Sequence, residues 1–177
     1  MPEVIRSGAV RLLINIAFFQ AGWLICVIVS NEVAALAGFA LVGAHLVLVS
    51  QRPAHEALFI GLGTLLGSLM DGLWFWLGVL VSPEPYSGLI PVWLVALWAL
   101  FLTTPGHSLA WLAAHRRLVF LLSPVAGAFA YWSASQLGAV ELRAPLLGLL
   151  AIGMGWLLLF PLFLSWSQHL LREPAAS

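Results

Sequence analysis

Apolar residues fill six long stretches of the chain, and short polar groups separate these stretches. The stretches cover about residues 9–30, 33–50, 56–81, 91–114, 118–140 and 144–164. A helix needs roughly 20 mostly apolar residues to cross a bilayer, and backbone groups in lipid must bond within their own segment. The pattern therefore predicts an all-α, polytopic integral membrane bundle of about six transmembrane helices, which forms one domain over residues 1–177.

The composition leads to the same class of protein. Hydrophobic residues make up 62% of the 177 residues and charged residues 8%, whereas soluble domains average about 45–50% and 25%. The formal net charge is zero, so no nucleic-acid partner is indicated. The single cysteine, Cys26, excludes an internal disulfide and a cysteine-rich metal site.

The arginines predict how the bundle is oriented. Six of the seven basic residues lie at the amino terminus, in the even-numbered turns or at the carboxyl terminus, and Arg143 alone lies on the other side. An excess of arginine marks the cytoplasmic side of a membrane protein. Both termini are therefore predicted to be cytoplasmic. The six are Arg6, Arg11, Arg52, Arg116, Arg117 and Arg172.

One carboxylate stands in the apolar run LGSLMDGLW, residues 66–74. Insertion of an aspartate near a bilayer centre costs roughly 2.5–3.5 kcal/mol, so Asp71 should face the bundle interior. Gly63, Gly67 and Ser68 form a strip of small residues beside it, which lets another helix approach. At the same predicted depth lie Gln20 and Tyr131. Asp71 is either an interhelical hydrogen-bonding group or a proton carrier or ligand group.

A second polar layer is predicted nearer the cytoplasm, from Asn15, His45 and His107. In TTPGHSLAWL, residues 103–112, helical spacing puts Thr103, Thr104, His107 and Trp111 on one face. Pro105 and Gly106 loosen the helix there. This loosening suits either a binding pocket or a kink. In a kink, the threonine hydroxyls would form hydrogen bonds with the backbone carbonyls that the proline leaves free. Ser108 follows His107 directly, so the two side chains point to different faces.

The two histidines raise the question of a metal. His45 and His107 are predicted on separate helices with no HxxxH pair, and Asp71 is expected about 10 Å deeper, from the rise per residue. Imidazole suits zinc, copper and iron, but this arrangement is a weak signal. We expect neither a metal nor another cofactor.

Four ordered motifs resemble the bacterial inner-membrane family known as domain of unknown function 2878. They are NIAFFQAGW (15–23), LGSLMDGLW (66–74), PVWLVALWALFLTTPGHSLAWL (91–112) and SPVAGAFAYWSASQLGAVEL (123–142). Gly72 and Gly106 depart from the family pattern, where serine and asparagine are usual. The matching motif positions are Asn15, Gln20, Trp23, Asp71, Thr104, His107, Ser108, Trp111, Pro124, Tyr131 and Gly138.

The resemblance implies a multi-pass protein of the bacterial inner (plasma) membrane. Family members are often encoded beside lipid methyltransferases and flavin-dependent oxidases, which implies a lipid-modification context. The expected partners are therefore membrane lipids and a lipid-modifying enzyme. No activity follows from the resemblance.

Three functions stay open at this point. The favoured one is a lipid-binding or accessory membrane component; the others are a small proton-coupled transporter that uses Asp71 and His107, and an intramembrane enzyme acting on acyl lipids. Whether the chain is an enzyme is therefore undecided. The candidate ligand-binding or polar-core residues are Asn15, Gln20, His45, Asp71, Thr104, His107, Ser108, Trp111 and Tyr131.

Overall fold

The fold is a bundle of six α-helices, seen in a computed structural model that describes residues 8–171. The helices are α1 (Gly8–Val29), α2 (Glu32–Leu48), α3 (Pro53–Trp76), α4 (Val92–Leu102), α5 (Arg116–Gln136) and α6 (Pro145–Leu171). A 3₁₀ helix, Ala110–Ala114, lies between α4 and α5. Two short strands, β1 (Leu80–Val81) and β2 (Glu141–Leu142), pair antiparallel. Arg6 and Arg172 lie outside the described residues.

The shortest helix, α4, lies at the centre of the bundle, where it contacts α1, α2 and α3. Its sequence, VWLVALWALFL, is apolar on every face, and a helix of that kind is stable only when it is surrounded. Trp93, Trp98 and Leu100 are each at most 3% exposed. Helices α5 and α6 pack on each other, and α6 also contacts α3.

Four helices are long and apolar enough to cross a membrane, namely α1, α3, α5 and α6. The other two apolar helices are shorter, with 17 residues in α2 and 11 in α4. Large apolar side chains cover much of the outer surface: Trp76, Leu146 and Leu36 are 81%, 73% and 70% exposed. A surface this apolar belongs against lipid or another protein rather than in water. The structure thus agrees with a membrane-type helical bundle.

The predicted fourth segment, residues 91–114, is wrong as a continuous helix. Helix α4 ends at Leu102, and residues 103–109 form turns before the 3₁₀ helix. Pro105 has no N–H to give to Phe101, and it disfavours helical geometry at Thr104. The hydroxyls of Thr103 and Thr104 point back to the carbonyls of the preceding turn, so the helix end is satisfied locally.

Two predicted segments also end too late, because glycine stops them early. Helices α3 and α5 each finish in a Schellman motif, with Gly78 at φ 69° and Gly138 at φ 81°. Glycine takes this left-handed conformation without the penalty that a Cβ imposes. The chain then turns into β1 and β2, where Leu80 pairs with Leu142 and Val81 with Glu141.

Candidate functional site

The first buried polar group gathers three parts of the chain around the carboxylate of Glu56. Glu56 Oε1 lies 2.7 Å from His45 Nε2 and 2.9 Å from His107 Nε2. Glu56 and His45 are 2% and 1% exposed, whereas the side chain of His107 is 18% exposed. A carboxylate is costly in an apolar interior unless it is paired. We call these three residues the carboxylate–imidazole cluster.

Asn15 connects this cluster to the segment that follows α4. Its Nδ2 donates to the carbonyl of Thr103 at 3.0 Å and lies 3.3 Å from His45 Nδ1. Its Oδ1 accepts from the backbone N–H of Ser108 at 3.2 Å. Asn15 is fully buried. A single side chain from α1 therefore positions both the imidazole of α2 and the irregular backbone around His107.

The turn between α2 and α3 explains why His45 meets Glu56. The two residues stand at equal distances in sequence from the turn centre between Ser50 and Gln51. Equidistant positions on two antiparallel helices lie at the same height, because both helices rise 1.5 Å per residue. Sequence reasoning missed Glu56, since it stood at the predicted start of a span, but this symmetry about the turn was available as a signal.

His107 reaches the same carboxylate because α4 ends early. It lies in the turns of residues 103–109, and its N–H bonds to the carbonyl of Thr104 at 3.0 Å. The His45 and His107 rings meet edge to face, with their centroids 4.8 Å apart. On a continuous helix, the position of His107 would have been fixed by helical geometry alone. The break leaves its position to these tertiary contacts.

The second buried polar group surrounds Asp71, which is 1% exposed. The Tyr131 hydroxyl donates to Asp71 Oδ1 at 2.5 Å, and the Trp98 indole N–H donates to Oδ2 at 2.6 Å. The prediction that Asp71 faces the bundle interior is confirmed. Trp98 is a partner that sequence reasoning missed, because a deep tryptophan is more often a packing residue.

An aromatic cavity of about 70 Å³ lies next to the Asp71 group, and Trp98 and Tyr131 form part of its wall. Almost the whole lining is apolar, and Trp98 stacks on Trp156 with ring centroids 5.3 Å apart. An apolar cavity of about twice this size can hold benzene, so this one suits a few carbon atoms. Other aromatic lining residues are Phe19, Trp23, Trp93 and Phe101.

A larger, basic cleft of about 830 Å³ lies at the end of the bundle where α3 and α5 begin and α6 ends. Basic and polar side chains form one part of its lining, and Val119, Phe120 and Leu164 form an apolar part. Its volume is within the usual range of ligand sites, about 300–1,000 Å³. The basic and polar lining residues are Arg52, His55, Arg116, Ser165, Gln168 and His169.

Three predicted polar-core residues, Gln20, Trp111 and Thr104, have side chains outside both buried groups. Gln20 is exposed, because five residues turn a helix by about 500° and so place Gln20 some 140° from Asn15. Trp111 is 54% exposed, since the break after α4 removes it from the face predicted for it. Thr104 is buried, and its hydroxyl donates to the carbonyl of Phe101 at 2.7 Å.

The structure places Asp71 and His107 in different groups. Within residues 8–171, the hydrogen bonds of Asp71 and those of His107 have no residue in common. Asp71 also lies about 8 Å from the end of its helix, by the rise per residue, because α3 stops at Trp76. The proton relay predicted between Asp71 and His107 therefore gains no connecting contact.

The carboxylate–imidazole cluster has the residue types of a metal site, with one ligand atom from each residue within 4.8 Å of the others. Two observations favour hydrogen bonds over tetrahedral zinc coordination in this arrangement. The histidine nitrogens lie 2.7 and 2.9 Å from one carboxylate oxygen, whereas ligands on a tetrahedral zinc are about 3.3 Å apart, from bond lengths near 2.0–2.1 Å. In addition, a histidine ligand normally donates its second N–H to an acceptor, but His45 Nδ1 faces the Nδ2 donor of Asn15.

These features define the chain as a helical, membrane-type bundle with two buried carboxylate groups and a basic cleft. It belongs to the family described as Protein of unknown function (DUF2878), whose model matches residues 12–162. The resemblance drawn from the four motifs is thereby confirmed. No curated protein and no solved structure matches the chain.

Proposed function

We propose that this chain is a membrane protein that binds an anionic lipid by placing the phosphate of its head group in the basic cleft. The observation that carries the proposal is the lining of that cleft. Arg52 and Arg116 come from separate turns of the bundle and border one volume. A guanidinium group binds phosphate oxygens in a planar, two-pronged geometry.

Two of the three helix ends at the cleft add to this attraction for an anion, whereas the carboxyl end of α6 opposes it. Helix α3 begins at Pro53 and α5 begins at Arg116, both at the edge of the cleft. The first N–H groups of a helix lack partners within it, and the helix dipole favours negative charge at that end. The apolar part of the lining, with Phe120 and Leu164, suits the first carbons of an acyl chain. A phospholipid combines these two chemistries.

The proposal includes the arrangement of the chain in the bilayer. We propose six membrane segments, in which α2 spans with 17 residues and α4 spans together with the turns and the 3₁₀ helix after it. Arg52 and Arg116, which border the cleft, then lie on the cytoplasmic side with both termini, in agreement with the positive-inside rule. We place the chain in the bacterial inner membrane, whose anionic lipids would supply the ligand.

A binding role fits an accessory component better than a catalyst, and a lipid-modifying enzyme is the partner we propose for it. The cleft offers basic and apolar contacts that suit a phosphate group and the first part of an acyl chain. The connection to such an enzyme rests on the lipid-modification context that the family resemblance implies. Capture of lipid at the cleft would present its head group at the membrane surface.

Two neighbouring arginines make a matched test. Arg116 borders the cleft, whereas Arg117 is also exposed but is not part of the lining. The purified chain in a mild non-ionic detergent is titrated with fluorescent phosphatidylglycerol, with phosphatidylcholine as the neutral competitor. Arg116→Gln should weaken binding about 10- to 150-fold, since one charge-assisted hydrogen bond is worth about 1.5–3 kcal/mol. Arg117→Gln should leave the affinity unchanged.

Three outcomes would contradict the proposal. Equal competition by phosphatidylcholine would mean that the head-group charge is not recognised. Equal weakening by Arg116→Gln and Arg117→Gln would reduce the effect to general surface charge. Competition by soluble glycerol phosphate as strong as that by the intact lipid would assign the cleft to a water-soluble phosphate compound instead.

A further inference from the structure

The buried carboxylate of Glu56 needs a compensating positive charge or a proton. Within residues 8–171, the basic groups within 4 Å of this carboxylate are the imidazoles of His45 and His107. Helix α1 contributes the uncharged Asn15 to the shell around His45. The protonation of Glu56 and of the two imidazoles therefore decides the net charge of the cluster.

The hydrogen bonds of Asn15 determine which nitrogen of His45 carries hydrogen. Asn15 Oδ1 must be the atom facing the Ser108 N–H, and Nδ2 the atom facing the Thr103 carbonyl. The reverse assignment would place a donor against a donor at Ser108 and an acceptor against an acceptor at Thr103. Nδ2 also contacts Thr103 Oγ1 at 3.2 Å and faces His45 Nδ1 at 3.3 Å, and an amide nitrogen cannot accept a hydrogen bond from an Nδ1–H. Nδ1 is then an acceptor, and the single ring hydrogen lies on Nε2, which donates to Glu56. His45 is neutral.

The compensating proton must then belong to the remaining two residues. We infer that Glu56 and His107 form a proton-binding pair. The pair holds one proton more than an ionised carboxylate and a neutral imidazole would hold together. His45 stays neutral and donates a hydrogen bond to Glu56. The proton lies on His107 or on Glu56, and it is a property of the pair rather than of one residue. In either form the pair is neutral overall, which avoids the cost of an isolated buried charge.

The route of proton exchange follows from exposure. The side chain of His107 is 18% exposed, against 3% for Glu56 and 1% for His45. His107 also stands on irregular backbone rather than on a helix, so its ring can move without breaking a helical ladder. His107 is thus the group through which the buried carboxylate exchanges its proton with the outside. This inference does not depend on lipid binding in the cleft.

The test measures protonation directly in the wild-type chain. Side-chain ¹⁵N NMR of histidine-labelled protein in nanodiscs at pH 7 reads the ring protonation of each histidine, and the infrared band of a protonated carboxyl reads Glu56. We expect His45 with one hydrogen, on Nε2. We also expect the extra proton on His107, or on Glu56 with His107 neutral. In Glu56→Gln, His107 should be neutral and His55 and His115 unchanged.

Several results would overturn the inference. An ionised Glu56 with two neutral histidines would show that the pair holds no extra proton. Hydrogen on Nδ1 of His45 would contradict the role of Asn15. Stoichiometric binding of Zn²⁺ or Co²⁺ to the wild-type chain, lost in both His45→Gln and His107→Gln, would replace the proton by a metal. If Glu56→Gln does not fold, the wild-type spectra and the metal titration still test whether the pair holds the extra proton.

Discussion

The hydroxyl of Tyr131 donates a 2.5 Å hydrogen bond to the carboxylate of Asp71, and this bond joins α5 to α3 across the bundle. The other oxygen of Asp71 accepts from Trp98 on α4. Three consecutive helices therefore meet at one buried acid. Hydrogen bonds of this kind hold membrane helices in register, although each is worth only about 1 kcal/mol.

We predict that Tyr131→Phe lowers the free energy of unfolding by about 1–2 kcal/mol, because it leaves one oxygen of a buried acid without its donor. The measurement is reversible unfolding in mixed detergent micelles. Tyr86→Phe is the matched control, since Tyr86 is 40% exposed, and it should have no effect. A double-mutant cycle with Asp71→Asn should give a coupling of about 0.6–1.7 kcal/mol. Additive effects would contradict a direct bond.

The sequence allowed the interior position of Asp71 to be predicted, because the cost of an acid in lipid leaves few alternatives. It also allowed Tyr131 to be considered as a partner by depth. The depth of a residue in the membrane does not determine the face of the helix on which its side chain lies, however. Gln20, at a similar depth, is exposed. The direction depends on which neighbours pack, and Phe19 and Trp23 take the inner face of α1 at the aromatic cavity.

The carboxylate–imidazole cluster was harder to predict, because it depends on where helices end. The break at Pro105 was visible in the sequence, but its consequence for His107 was not, since turn geometry is fixed by tertiary contacts such as the Asn15 bond to Ser108. Glu56 was assigned to a membrane boundary. Four predicted residues, Asn15, His45, His107 and Ser108, do meet in the structure. The acid that joins the two histidines, Glu56, was missed.

A pair of glycines in α3 tests the close packing of this helix on α4. A Cβ at Gly67 would lie 2.3 Å from the ring of Trp98, whereas a Cβ at Gly61 would meet nothing within 4 Å. We predict that Gly67→Ala destabilises the chain by about 1–3 kcal/mol through overpacking. Gly61→Ala should be neutral or stabilise by up to about 1 kcal/mol. Equal effects at the two positions would contradict the packing of Gly67 on Trp98.

Ser30 ends α1 in a strained conformation, with φ at 49°. A side chain in the left-handed region costs about 1–2 kcal/mol relative to glycine, and Ser30 recovers part of this through its hydroxyl bond to the Val27 carbonyl at 2.7 Å. We predict that Ser30→Gly raises the free energy of unfolding by about 0.5–1 kcal/mol, measured by the same unfolding assay.

Ser135 is the matched control for this effect. Its hydroxyl makes the same type of bond, to the Trp132 carbonyl at 2.7 Å, but it lies within α5. Ser135→Gly should therefore lower the free energy of unfolding, by up to about 1 kcal/mol, because glycine is a poor helix former. Changes of the same sign at the two serines would show that backbone strain at Ser30 is not the cause.

Asn15 should be the most sensitive polar residue of the bundle. Asn15→Ala would leave the N–H of Ser108 and the carbonyl of Thr103 without this partner, and each buried group that loses its bond costs about 1–3 kcal/mol. We predict a loss of about 2–4 kcal/mol in unfolding free energy and faster amide exchange at Ser108. Asn31→Ala removes the N-cap of α2 and should cost only about 1 kcal/mol, with exchange at Ser108 unchanged. Slow exchange at Ser108 in Asn15→Ala would mean that the segment after α4 is held by other contacts.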